Sequence, residues 1–139
     1  MMSLRIAAAV LIISAPLAGQ AYAQSGSPGA DWSKAETVEI DLDSYSFTPK
    51  ALHLKRGMAY TLHFVNKSSK GHNFDAPKFF GALAVAPEDQ SKIDSGKVEV
   101  GDGQSVDIKA VANTPGSYKF ECSHFLHASF GMTGDAVIE

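Results

Sequence analysis

Hydrophobic and polar positions begin to alternate strictly at Val38. Val38, Ile40 and Leu42 fall on one side of an extended chain and Glu39, Asp41 and Asp43 on the other, which predicts a strand with one buried and one solvated face. Phe47, Thr48 and Pro49 break the pattern. It resumes with Leu52 and Leu54 against His53 and Lys55, turns at Arg56 and Gly57, and returns with Tyr60, Leu62 and Phe64 against Thr61, His63 and Val65. By this parity His53 and His63 face solvent. Asn66 to Gly71 forms a polar turn, after which His72 shares a side with the apolar Phe74.

Between Ala76 and Ser95 the periodicity fails, and a long connection with one short helix is expected, its first turn at Pro87, Glu88 and Asp89. Phe79, Phe80, Leu83 and Val85 in this stretch are expected to plug one end of the core. Val98 and Val100 lead through a Gly101 to Gly103 turn to Val106, Ile108 and Ala110, which alternate with Asp107 and Lys109. After a turn at Asn113 to Gly116, Tyr118, Phe120 and Cys122 share one face and Lys119 and Glu121 the other, so Cys122 points inward at a strand's end. A last strand runs from Gly134 to Ile138. Seven or eight short strands with little helix predict an all-β, antiparallel Greek-key sandwich.

The chain's ends set its organisation. Arg5, the 13-residue apolar run from Ile6 to Ala18 and the small-x-small pattern at Ala21 to Ala23 read as a cleaved secretory signal over residues 1–23. A membrane anchor is the alternative, but that run is short of the roughly 20 residues a spanning helix needs. Residues 24–36, small and polar, read as a flexible leader, and residues 37–139 as one domain. Loss of Arg5 leaves 11 basic against 15 acidic side chains, a charge of −4. With no basic stripe, nucleic acid is excluded as a partner class.

Export makes the cysteine count informative, because exported chains usually pair their cysteines and this one has only Cys122. It is a buried small hydrophobe, half of an intermolecular disulfide, or a metal thiolate. The neighbourhood favours the last: Cys122, His127 and Met132 lie within eleven residues, a soft donor set suited to copper. That set lacks one imidazole, and His72 is the best-placed source, although a lone histidine there also reads as a packing residue. His124 shares a face with Cys122 in an extended segment and competes with His127 for the ligand role. Met132 has an alternative reading as a core filler, but its place between Gly131 and Gly134, just before a strand, favours an axial role. Zinc could take the three short ligands but has little use for Met132.

Several of these features resemble the cupredoxins, the plastocyanin and azurin family of blue copper proteins. They are the break at Phe47 to Pro49, the run Gly71 to Phe74, the pattern Pro115-Gly116-x-Tyr118-x-Phe120-x-Cys122, and the spacing Cys122-x4-His127-x4-Met132 followed by Gly134. The resemblance spans roughly residues 38–139. It implies one copper per chain, held by His72, Cys122 and His127 with Met132 as a weak axial ligand. It also implies that Asn73 ties the two ligand loops together by hydrogen bonds, one of them to the cysteine sulfur. His124 departs from the family pattern and is expected at the rim, with Phe125 and Phe130 among the apolar residues that could flank His127 at the surface.

The function implied is that of an exported one-electron carrier, a monomer, periplasmic if the source is Gram-negative, passing electrons between protein partners such as cytochromes or copper enzymes. The alternative is a copper-handling protein that binds and delivers the ion, to which an extra donor at His124 would lend support. An enzyme is disfavoured, because multicopper oxidases need further histidine pairs and His53 and His63 are not so spaced.

Overall fold

The computed structural model describes residues 29–139; the expected signal sequence over residues 1–23 and the first part of the expected leader, through residue 28, lie outside the described residues. Trp32–Lys34 forms a single 3-10 turn, capped by the Asp31 carboxylate, which accepts from Ser33 N. Ten strands follow: β1 (Glu36–Asp43), β2 (Ser46–Thr48), β3 (Ala51–Leu54), β4 (Ala59–Asn66), β5 (His72–Asp75), β6 (Leu83–Val85), β7 (Lys97–Val100), β8 (Ser105–Ala112), β9 (Gly116–Glu121) and β10 (Thr133–Ile138). They make two five-stranded sheets, ordered β2-β1-β4-β8-β6 and β3-β10-β9-β5-β7.

The all-β sandwich expected from the alternation is the observed architecture, but its sheets are mixed rather than purely antiparallel. β1 pairs with β4 in parallel, and β3 pairs with β10 in parallel. The cause lies in the connections. β2 stays beside β1 while β3 joins the opposite sheet, so β4 returns to β1 after a crossover, running the same way. Alternation dictates which face a residue takes and says nothing of which strand lies next to it.

The connection after β5 also differs from expectation. Its α-helix, α1 (Pro77–Gly81), lies ten residues earlier than the expected turn, while Pro87–Lys92 is a 3-10 helix. Proline opens both, since its missing N–H and fixed φ suit a first helical position. Phe79, Phe80 and Leu83 are buried, as a plug requires, and Val85 packs partly exposed against the core. Asp89 is buried too, its charge held by Lys92 Nζ at 2.6 Å and by the Lys109 backbone N–H at 2.8 Å.

One core joins both sheets. Ile40, Leu42, Leu62, Phe64 and Ile108 from the first sheet meet Leu52, Phe74, Val98, Phe120 and Ile138 from the second. Phe120 stacks on Phe74, ring centroids 4.6 Å apart. Gly134, its partner across β9 and β10, leaves room for that ring: a Cβ there would stand 2.2 Å from Phe120 Cζ and 2.5 Å from the Lys50 carbonyl oxygen. Gly134→Ala is therefore expected to destabilise the fold by about 1–3 kcal/mol, as forced overpacking does, read as a lowered midpoint in thermal unfolding followed by circular dichroism. An unchanged midpoint would mean that β10 can shift to absorb the methyl group.

Candidate metal centre

At one end of the sandwich, β9 and β5 pair only at Asp75 and Glu121, and beyond that pair they part. Continued, the antiparallel register would set Cys122 opposite Phe74 and Ser123 opposite Asn73. The Asn73 side chain stands in for the missing ladder: its Oδ1 accepts from Ser123 N at 2.8 Å and its Nδ2 donates to Ser123 Oγ at 3.0 Å. Its backbone N–H donates to Cys122 Sγ at 3.5 Å. One buried residue thus ties the two loops with its side chain and donates to the sulfur with its backbone N–H.

The stem of β9 and β10 fixes the other loop. One step beyond the Glu121 and Thr133 pair, Cys122 N donates to the Met132 carbonyl at 3.1 Å, so these two residues face each other across the hairpin. Both side chains are fully buried. Met132 N in turn donates to the His127 carbonyl at 3.1 Å, and a 3-10 turn at Ala128–Phe130 closes on Gly131, whose φ of 96° lies in the left-handed region that glycine adopts without strain. His72 arrives from the turn before β5, which Asn66 organises by donating to Lys70 O and Val100 O and accepting from Ser68 N.

Three donor atoms converge. His72 Nδ1 lies 3.1 Å from His127 Nδ1 and 3.9 Å from Cys122 Sγ, and His127 Nδ1 lies 3.3 Å from that sulfur. A circle through corners with these sides has a radius of about 2.0 Å, so one central point is about 2.0 Å from all three atoms. First-row metal bonds to imidazole nitrogen and thiolate run about 2.0–2.3 Å, and the pocket therefore fits a single ion. Two imidazole lone pairs cannot face each other at 3.1 Å unless a proton or a cation lies between them.

The local electrostatics suit the same use. Burial, reinforced by His127 and His124, holds the His72 imidazole below its ordinary pKa, and burial followed by His124 and Lys70 does the same for His127. Both rings therefore favour the neutral form, in which an imidazole can offer a nitrogen lone pair to a cation. Burial pushes the Cys122 thiol up, against the pull of the Asn73 and His124 backbone N–H groups, so an arriving cation must displace its proton. His72 Nε2 is buried and has no hydrogen-bond partner among the described residues. This ring is held by packing and by its place on β5, not by the outer hydrogen bond that usually orients a ligating histidine.

Not every candidate joins the triangle. His124 stands beside it, half-buried, its Nε2 2.9 Å from Glu99 Oε2 and its ring stacked on that of His127 with centroids 5.5 Å apart. His53 is exposed, and His63 pairs with Asp107 on the outer face of the first sheet. Phe125, Leu126 and Phe130 are 88%, 47% and 61% exposed around the half-buried His127. Tyr45, from the turn between β1 and β2, meets His127 edge-on at 5.3 Å and Phe130 at 5.0 Å. The sequence reading missed it. Its only linear signal is an aromatic residue in a polar turn.

A β-sandwich that gathers two imidazoles and a thiolate at one end, with a buried methionine opposite the cysteine, defines a type 1 copper-like, cupredoxin-class centre. The chain belongs to the copper binding proteins of the plastocyanin/azurin family, whose sequence pattern matches residues 34–139. No protein of curated function matches its sequence. Among solved structures it resembles a dithionite-reduced auracyanin from the photosynthetic bacterium Roseiflexus castenholzii, at 21% identity and a TM-score of 0.57, over 76% of this chain and 98% of that one. It also resembles auracyanin A, a "blue" copper protein from Chloroflexus aurantiacus, at 18% identity and a TM-score of 0.51, over 74% and 99% of the two chains. A multi-copper oxidase from Pseudomonas thermotolerans matches at 17% identity and a TM-score of 0.55, over 81% of this chain but only 31% of the oxidase. At such identities the likeness is one of fold.

Proposed function

We propose that the mature protein is an exported one-electron carrier in which His72, Cys122 and His127 hold one copper ion and Met132 is its weak axial neighbour. The observation that carries this reading is the triangle of two Nδ1 atoms and one Sγ, with sides of 3.1, 3.3 and 3.9 Å. Copper, when bound, supplies a couple between one and two positive charges. The chain supplies a holder that changes little between them. Cys122 and Met132 are fixed across a hairpin stem, His72 sits on β5, and Asn73 fastens one loop to the other, so the donors keep their places as charge comes and goes.

Cys122, Met132 and His72 are buried, so solvent does not reach these side chains, which supports a carrier over an enzyme. His127 is the way out: its ring reaches the surface within the apolar rim of Phe125, Leu126, Ala128 and Phe130, where a redox protein would dock. The copper-handling alternative leaned on His124 as a spare donor. The tie from His124 to Glu99 favours the carrier, and exchange separates the two: a carrier keeps its copper through many redox cycles, whereas a delivery protein yields it to an acceptor apoprotein.

Separate alanine variants test the histidine assignment. In copper(II)-loaded protein, His127→Ala is expected to abolish or transform the thiolate-to-copper absorption band, and His124→Ala to leave it nearly intact. The opposite pair of results would overturn the assignment. Loss of Nδ1 at position 127 removes one of the three close donors, whereas position 124 contributes none of them.

A further inference from the structure

We infer that Glu99 decides which histidine the metal takes, by holding His124 out of the site; the inference rests on the copper-binding reading above. Glu99 lies on β7, between Val98 and Val100, whose side chains are buried in the core, so its own side chain is on the outer face of the sheet. There it is the register partner of Asn73. By parity Asn73 should be as wet as Glu99, yet it is 2% exposed, because Glu99 and the loop after β9 cover it.

The carboxylate has two oxygens and uses each on a different loop. Oε1 accepts from Asn73 Nδ2 at 2.8 Å, and Oε2 is 2.9 Å from His124 Nε2. His124 is two residues from Cys122, and its ring centroid lies 5.5 Å from that of His127 and 6.5 Å from that of His72. A rotation of this ring would bring a third imidazole to an ion that the pocket is shaped to hold with two. The bond to Glu99 opposes that rotation by engaging the one nitrogen, Nε2, at the far end of the ring. The same carboxylate also accepts from Asn73 Nδ2, but the bonds of the Asn73 side chain to Ser123 and of its backbone N–H to Cys122 Sγ do not pass through Glu99 and remain without it. Glu99 is a positioning residue: it touches no donor atom of the triangle.

Four copper-loaded proteins test this: the parent, Glu99→Ala, Glu99→Gln and the double variant Glu99→Ala/His124→Ala, compared by visible absorption and by electron paramagnetic resonance. Circular dichroism confirms that each is folded, which the exposure of Glu99 makes the expected outcome. Glu99→Ala should weaken and shift the thiolate-to-copper band and change the copper hyperfine splitting. Glu99→Gln, which keeps an acceptor for Asn73 and a donor for a His124 ring nitrogen, should resemble the parent. Removing His124 from the Glu99→Ala protein should restore the parent spectrum.

In the copper-free protein, the His124 ring resonances should move on Glu99→Ala and stay near the parent's on Glu99→Gln. Glu99→Ala spectra that match the parent's, or that stay altered when His124 is also removed, would overturn the inference. A parent protein with no band at all would instead overturn the copper assignment on which it rests.

Discussion

Cys122→Ser is expected to remove the intense visible band of the copper(II) protein altogether while leaving the sandwich folded. The band arises from transfer of charge out of a polarisable thiolate, and serine offers only a hard oxygen that keeps its proton near neutral pH. Cys122 supplies the only sulfur in the triangle, so nothing else among its corners can take over. The structural cost is limited. Serine is close to cysteine in size, and the Asn73 N–H that donates to Sγ can donate to a hydroxyl, which leaves about 1 kcal/mol or less for the poorer match of a polar group to an apolar wall. Absorption, electron paramagnetic resonance and circular dichroism on one sample separate the two effects. Copper retained with its band intact would remove Cys122 from the centre.

Phe74→Ala is expected to have the largest effect on stability. Phe74 is fully buried and meets five other rings: Phe120 at 4.6 Å, Phe64 at 4.9 Å, Phe47 and Phe80 at 5.8 Å, and Phe79 at 6.1 Å. Truncating such a residue costs about 3–5 kcal/mol through lost transfer energy and the cavity left behind. Against a total stability of about 5–15 kcal/mol for a domain, that removes a large share. The expected fall in unfolding midpoint is about 10–20 °C. The loss also reaches the metal end, because Phe74 follows His72 and Asn73 on β5 and stacks on the residue two before Cys122. Copper affinity should therefore fall along with stability, although no donor atom is touched. A cost under about 1 kcal/mol, measured by urea unfolding, would mean that the surrounding rings collapse to fill the space.

These two residues show what a linear reading reaches. Phe74, Phe120 and Cys122 declare themselves by alternation, because an antiparallel strand with one wet face must place every second residue inside. Cys122, His127 and Met132 sit close in sequence, and His72 could be sought as the missing donor. Pairing is another matter. The parallel neighbours β1 with β4 and β3 with β10 follow from where crossovers run, which no strand's own pattern encodes. Helix α1 has five residues, too few for a helical period to show against its proline and glycine. Tyr45 and Glu99 were out of reach for a related reason. Each looks like an ordinary turn or surface residue until the fold sets Tyr45 against His127 and Glu99 opposite Asn73.

The most direct test is the position of the ion itself. In a crystal of the copper-loaded protein, anomalous scattering at the copper absorption edge locates the metal independently of the protein atoms. One peak per chain is expected, inside the triangle of His72 Nδ1, His127 Nδ1 and Cys122 Sγ. A principal peak between His124 and Glu99, or one bonded to neither the sulfur nor His72, would contradict the account.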